Sequence, residues 1–363
     1  MNIGFVGLGS VVETAYLPAL KALSLPVSCL YGYDRNPQRS LPGVTACDSL
    51  AALLAQPIDT LFITTVSLAH LPVLELALRS TIPRIVVEKP IAATLDQLAA
   101  LRQCLALPDN ARRVLALDHW MARDGALCLA QGSMDERWQP QNGAAVDRPV
   151  VTSLEDIVRI DGFLLEPSGY NAAGEAIALN FATGEPDTRQ LRHPDGVIVD
   201  IGTHVLAMMR ETVRYLGGSD EIVLRAEQVK DRLGQPIARG DTQTAEGEAH
   251  LLGTLGGIAV NLWLNKYAGP GVERKGIRLF LRDGRIIDQN RGPQGERVEL
   301  ICGGETLSWT RCGAVYAHCL GEQILGAQSL FDRAPQEVAR LTARRIGEVE
   351  ALLQIQQRLR GAH

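Results

Sequence analysis

Lysine is scarce in this chain: Lys21, Lys89, Lys230, Lys266 and Lys275 are all of it, beside an abundance of arginine. Positive charge is not in surplus either, since the formal net charge is -5. That balance leaves no broad cationic face for phosphate backbones or anionic lipid, so no nucleic acid and no membrane is expected as a partner. A small-molecule substrate is expected instead. No apolar run approaches the ~20 residues that span a bilayer, and the start, MNIGFVGLGS, lacks the basic and long apolar pattern of a secretion signal. A cytoplasmic protein is expected. The seven cysteines form no C-x-x-C pair and none stands beside a histidine at a zinc spacing, so neither a disulfide framework nor a metal site is expected.

At 363 residues, 46% of them hydrophobic, the chain can bury two ordinary cores. The first 120 residues alternate in period. NIGFVGLG (2 to 9) reads as a strand that breaks into glycines, followed by a helix with Leu17, Leu20 and Leu23 on one side. VSCLYGYD (27 to 34), TLFITTV (60 to 66), RIVVEKP (84 to 90) and RVLALDHW (113 to 120) read as further strands, with helices between them. Such alternation predicts a doubly wound parallel sheet over 1–120, the Rossmann arrangement, with its ligand outside the carboxyl ends of the strands.

The glycine turn names a ligand class. Gly7 and Gly9 stand as G-x-G after the first strand, where backbone N–H groups, with Ser10 and Val11 opening the helix, can face a pyrophosphate. Val12 occupies the place of the third glycine. Asp34 ends the second strand where a carboxylate would accept from an adenosine ribose and repel a 2′-phosphate, which favours NAD over NADP. Arg35 beside it could stack on adenine or pair with a phosphate.

From about residue 151 the pattern changes to period-2 stretches: 156 to 166, 247 to 268, 277 to 288 and 297 to 309, with hairpin chemistry at D-G and G-G. An α+β domain over 121–363 is predicted, with an open, mostly antiparallel sheet covered by amphipathic helices over 196 to 216 and 335 to 359. Residues 131 to 150 read as a connecting loop or lid. Within VDIGTHVLAMMR, Asp200 and His204 lie four apart, one helical turn, where a carboxylate can raise the basicity of an imidazole or grip a hydroxyl. The alternative is an ordinary polar pair. Glu166, Tyr170 and Asn171, and Arg192 with His193 ahead of the Asp200 helix, are further candidate contacts or solvent-facing turns.

A G-x-G strand, turn and helix, VVEKP ending a later strand, and D-I-G-T-H opening a second-domain helix together resemble the glucose-fructose oxidoreductase, inositol dehydrogenase and MocA family of NAD(P)-dependent oxidoreductases. The resemblance covers almost the whole chain. It implies hydride transfer at a carbinol or carbonyl carbon of a sugar, sugar phosphate or cyclitol, and a homodimer or homotetramer assembled through the C-terminal sheet. By position, Lys89 would hydrogen-bond the reacting oxygen, with Glu88 and Pro90 holding its backbone and the Lys-Pro bond often cis in relatives. Asp200 and His204 would orient substrate and move its proton, and Thr65 and His70 would lie by the cofactor.

Departures are equally plain. Thr65-Val66 stands for the usual Thr-Pro, and Ala207 for a second carboxylate of the helix. LDHWMAR is similar to the D-H-Y-L-x-K segment of glucose-6-phosphate dehydrogenases, which would put His119, Trp120 and Arg123 against a phosphate or carboxylate of the substrate; the alternative is that Trp120 covers the domain junction and His119 caps a strand end. Two other readings stand beside this one: a reductase of an imine or conjugated double bond, and a non-catalytic dinucleotide sensor.

Overall fold

The structure is a computed structural model describing residues 1–121, 124–142, 146, 148–171, 173–176, 179–180, 185–186, 196–269, 271–292 and 295–361. The chain divides into two units: Met1–His119 with Tyr316–Glu350, and Trp120–Val315 with the residues from Ala351 onward. A division at residue 120 alone does not contain that return.

In the first unit, β1 (Asn2–Val6), β2 (Cys29–Tyr33), β3 (Thr45–Ala46), β4 (Thr60–Ile63), β5 (Arg84–Val87) and β6 (Val114–Ala116) form one parallel sheet in the order β3-β2-β1-β4-β5-β6. Order reverses between β1 and β4, the switch point at which such sheets bind ligands. The strands are apolar along their length because helices cover both faces; Phe5 and Phe62 stack at 5.5 Å, and Ile3, Leu61, Ile85 and Val86 are fully buried. A π-helical stretch, Val12–Tyr16, runs into α1 (Leu17–Leu23). It begins at Val12, where the third glycine would stand, and such wide turns often mark functional sites. The helices α2 (Leu50–Leu54) and α4 (Leu95–Leu105) begin at Ser49 and Thr94, whose hydroxyls accept from Ala52 and Gln97 N–H at 3.0 Å each. Between the strands also lie α3 (His70–Leu78) and a short α5 (Pro108–Arg113).

The second unit begins with α6 (Gly125–Ala130) and holds a nine-stranded sheet. Its strands are β7 (Gln139–Asn142), β8 (Ile157–Leu165), β11 (Ile222–Lys230), β12 (Glu248–Leu255), β13 (Ile258–Asn265), β14 (Arg274–Leu281), β15 (Ile286–Gly292), β16 (Gly295–Cys302) and β17 (Glu305–Cys312). They run β11-β12-β13-β8-β14-β15-β16-β17-β7, antiparallel except for β13 beside β8. A separate two-strand ladder joins β9 (Leu179–Asn180) to β10 (Glu185–Pro186). The helix α8 (Gly202–Tyr215), preceded by α7 (Val197–Asp200), packs on one face so closely that a Cβ at Gly162 of β8 would stand 2.4 Å from Val205.

Four expectations change. The stretch 247 to 268 is two strands, folded back at Gly256 and Gly257, both in the left-handed region at φ +55 and +86. The loop 131 to 150 contains β7, a polar strand paired on the edge at β17. Asp200 and His204 do not share an unbroken helix: α7 ends at Asp200, Ile201 has φ −110, and α8 starts at Gly202. Finally, α11 (Pro335–Leu359) is not simply a cover for the second sheet, since its residues to Glu350 belong to the first unit. There Thr342 Oγ1 donates to Val114 O at 2.8 Å and accepts from Ala116 N–H at 3.0 Å, completing the open edge of β6. Before it in the returning segment come α9 (Val315–Cys319) and α10 (Leu330–Arg333).

Candidate functional site

Strand register places the first unit's candidate residues side by side. Val6 pairs with Ile63, and Ile63 with Val87. The residues that follow, Gly7, Thr64 and Glu88, therefore leave three adjacent strands at one sheet edge. Gly7 has φ +93, and a Cβ there would lie 2.8 Å from Thr64 O, so only glycine lets the two turns touch. At Gly9, by contrast, a Cβ would meet nothing within 4 Å. The N–H groups of Ser10 and Val11 head the helix, where no preceding turn can accept them. Thr65 Oγ1 is buried with no hydrogen-bond partner among the described residues. An open glycine corner, helix-heading N–H groups and an orphan hydroxyl together fit a dinucleotide.

Asp34 is oriented by the turn it faces. Its Oδ2 accepts from Leu8 N–H at 2.7 Å and its Oδ1 from Asn36 N–H at 2.9 Å, while Arg39 Nε donates to Leu8 O at 2.8 Å. Each carboxylate oxygen retains accepting capacity for a ribose hydroxyl. Arg35 is exposed.

Beyond β5, the backbone of Lys89 is held from both sides. Its N–H donates to Glu88 Oε2 at 3.1 Å, and the Lys89–Pro90 bond is cis. Pro90 O lies 2.8 Å from His70 Nδ1, while His70 Nε2 lies 2.9 Å from Thr65 O. Burial holds the His70 imidazole below its usual range, against the pull of the two carbonyls. Neutral at pH 7, it donates to one carbonyl at a time. His70 thus links the turns that carry Thr65 and Lys89. After β6 come Asp118 and His119, both buried; the His119 ring stacks on Tyr316 at 4.0 Å.

In the second unit, the His204 ring lies buried in the first turn of α8, stacked on Trp120 with centroids 5.6 Å apart. The Arg291 guanidinium lies over that indole, 5.4 Å from its centroid. Asp200 Oδ2 pairs with Lys266 Nζ at 2.5 Å. That lysine, which the sequence pattern did not single out, follows β13 and lies 66 positions from its partner; only strand pairing brings it there. Tyr170 Oη donates to Tyr267 O at 3.1 Å, and Glu166 accepts from Lys275 Nζ and Ser168 Oγ at 2.6 Å each. Burial pushes the Glu166 carboxyl up, but those donors outweigh it and leave the group below its usual range. Arg123, Arg192 and His193 lie outside the described residues.

This first unit has the strand order of a dinucleotide-binding fold, with a glycine corner after β1 and a carboxylate, Asp34, after β2. Residues 1–114 match the model of the GFO/IDH/MocA oxidoreductase family, NAD-binding Rossmann fold. No curated protein matches the chain in sequence. Among solved structures, a mutant 3-ketoreductase from Actinomadura kijaniata in complex with TDP-benzene and NADP is 15% identical, with a TM-score of 0.65 over 98% of this chain and 97% of that one. UDP-N-acetylglucosamine 3-dehydrogenase from Acidithiobacillus ferrooxidans is 18% identical, with a TM-score of 0.60 over 99% of each chain. At such identities the likeness is one of fold. No helix among the described residues is long and apolar enough to cross a membrane.

Proposed function

We propose that the chain is an NAD(P)-dependent oxidoreductase that interconverts a carbinol and a carbonyl on a sugar, sugar phosphate or cyclitol-like substrate. The observation that carries it is the common sheet edge at which Gly7, Thr64 and Glu88 leave β1, β4 and β5, with Lys89 next in line. Gly7, Gly9, Ser10, Val11, Asp34 and Thr65 would hold the dinucleotide, whose nicotinamide gives or takes a hydride when bound. Asp34 supports NAD over NADP, because a 2′-phosphate would face its carboxylate.

In this reading Lys89 hydrogen-bonds the substrate oxygen and stabilises the negative charge that grows on it during oxidation. His204 takes up the hydroxyl proton, and returns it in the direction of reduction. Asp200, paired with Lys266, orients the substrate rather than serving as a second base. Trp120 backs the imidazole with an apolar face, and His119, Arg123 and Tyr170 are assigned to substrate contact. Assembly as a homodimer or homotetramer is assigned to the face of the second sheet away from α8, which carries the half-exposed Trp263, 38% accessible, stacked on His250 at 3.5 Å.

The test follows NADH and NADPH consumption with keto-sugars, including nucleotide-linked ones, against cyclic imines. Turnover of a keto-sugar, faster with NADH, is the expected result. Turnover of imines alone would replace this reading by an imine reductase, and tight dinucleotide binding without turnover across the panel would replace it by a sensor.

A further inference from the structure

Glu88 is only 5% exposed. Its Oε1 accepts from Tyr16 Oη at 2.6 Å and from Tyr316 Oη at 3.4 Å, while its Oε2 accepts from the Lys89 N–H. Burial first, and the Glu88 charge second, hold both phenols well above their usual range, so both remain donors at any working pH. A phenol fixes a carboxylate in orientation without bringing a positive charge to it. These two phenols come from far-separated places. Tyr16 ends the π-helical stretch after the glycine turn, and its ring packs edge-on against Phe5 at 5.7 Å and Tyr316 at 5.3 Å. Tyr316 opens the segment that returns to the first unit.

Lys89 is followed by proline, which has no N–H to tether the next peptide. The Lys89 N–H bond to Glu88 restrains that corner from one side, as the His70 contact at Pro90 O does from the other, and it is only as firm as the carboxylate that accepts it. We propose that Tyr16 and Tyr316 are positioning residues that fix the Lys89 backbone through Glu88, so that the helix after the glycine turn and the returning segment jointly set where the lysine stands. The inference rests on the reading of Lys89 as a reacting group only for its consequence in catalysis; the positioning itself is independent of it.

The experiment is site-resolved amide hydrogen exchange on the full chain and on Tyr16→Phe and Tyr316→Phe. The reference amides are Thr64, bonded to Val6 O, and Leu117, bonded to Val87 O, in the same sheet. Tyr16→Phe is expected to speed exchange at Lys89 by roughly tenfold or more, with the reference amides within twofold. Tyr316→Phe should give a smaller rise, since its bond is longer. With an accepted substrate, Tyr16→Phe should lower kcat by about tenfold and leave KM for the dinucleotide unchanged. Unchanged exchange at Lys89 in Tyr16→Phe, or equal acceleration of all three amides, would overturn the inference. Should Tyr16→Phe fail to fold, the same comparison on Tyr316→Phe decides, a rise of threefold or more at Lys89 alone supporting it. Full turnover by Lys89→Met would instead remove lysine from the chemistry while leaving the exchange result standing.

Discussion

Asp124 gives the account a quantitative test in the second unit. Its side chain is 2% exposed, and its Oδ1 accepts from Leu127 N–H at 2.8 Å to begin α6. Burial pushes the carboxyl up from 3.8 to about 6, with the Arg291 guanidinium opposing and the Glu296 charge assisting. Below pH 3.8 the group is protonated whether the chain is folded or not, and contributes nothing. As pH rises toward 6 the folded chain keeps a proton that the unfolded chain has lost, so stability falls; above pH 6 the penalty is complete at about 3 kcal/mol. Asp124→Asn retains an accepting oxygen for Leu127 and has no proton to lose. Relative to the parent, it should therefore gain about 3 kcal/mol between pH 3 and pH 7. All four tryptophans, Trp120, Trp138, Trp263 and Trp309, lie in the second unit, so urea unfolding followed by their fluorescence reads that unit alone. A difference between variant and parent that stays flat with pH would refute the reasoning. So would a variant that loses ground as pH rises, which would mean that the carboxylate's attraction to Arg291 and Arg311 outweighs its burial.

Substitutions at Thr342 and at the Lys266–Asp200 pair separate local causes. Thr342→Val leaves the Val114 carbonyl and the Ala116 N–H buried without their partner and should cost the first unit about 2–4 kcal/mol, with faster amide exchange in β6. Thr342→Ser, which keeps the hydroxyl, should lose about 1 kcal/mol at most. Lys266→Met leaves the Asp200 carboxylate buried without its ammonium, a loss of about 3 kcal/mol at pH 7 in tryptophan-monitored unfolding. Lys266→Met combined with Asp200→Asn should recover most of it, and no recovery would mean that Lys266 stabilises by packing alone.

Local signals were legible in the sequence, and contacts across long separations were not. Gly7 and Gly9 could be read because paired glycines between an apolar strand and a helical stretch are a local pattern, although only Gly7, at φ +93 against Thr64, requires the missing side chain; RIVVEKP could be read because a buried strand shows as an unbroken apolar run. The hairpins at Asp283-Gly284 and Gly303-Gly304 were readable from their turn residues, whose glycines stand at positive φ. Nothing near Tyr16 in sequence announces that its hydroxyl meets Glu88, and nothing near Lys266 announces Asp200. The break at Ile201 was hidden because V-D-I-G-T-H keeps helical spacing through it; the signal present was Gly202, where a Cβ would stand 3.2 Å from Leu264. The return of the chain to the first unit was obscured by α11 itself, a 25-residue helix with one continuous amphipathic pattern whose two ends belong to different units.

In the proposed reaction Lys89 serves the reacting oxygen rather than the fold or the dinucleotide. The most direct measurement is turnover of a keto-sugar by Lys89→Met beside dinucleotide affinity, read by fluorescence titration of the same protein. The expected result is a fall in kcat of several orders of magnitude, about 4 kcal/mol or more in the barrier, with dinucleotide Kd within threefold of the parent. A variant that keeps its turnover, or one whose activity falls only in step with a lost grip on the dinucleotide, would contradict it.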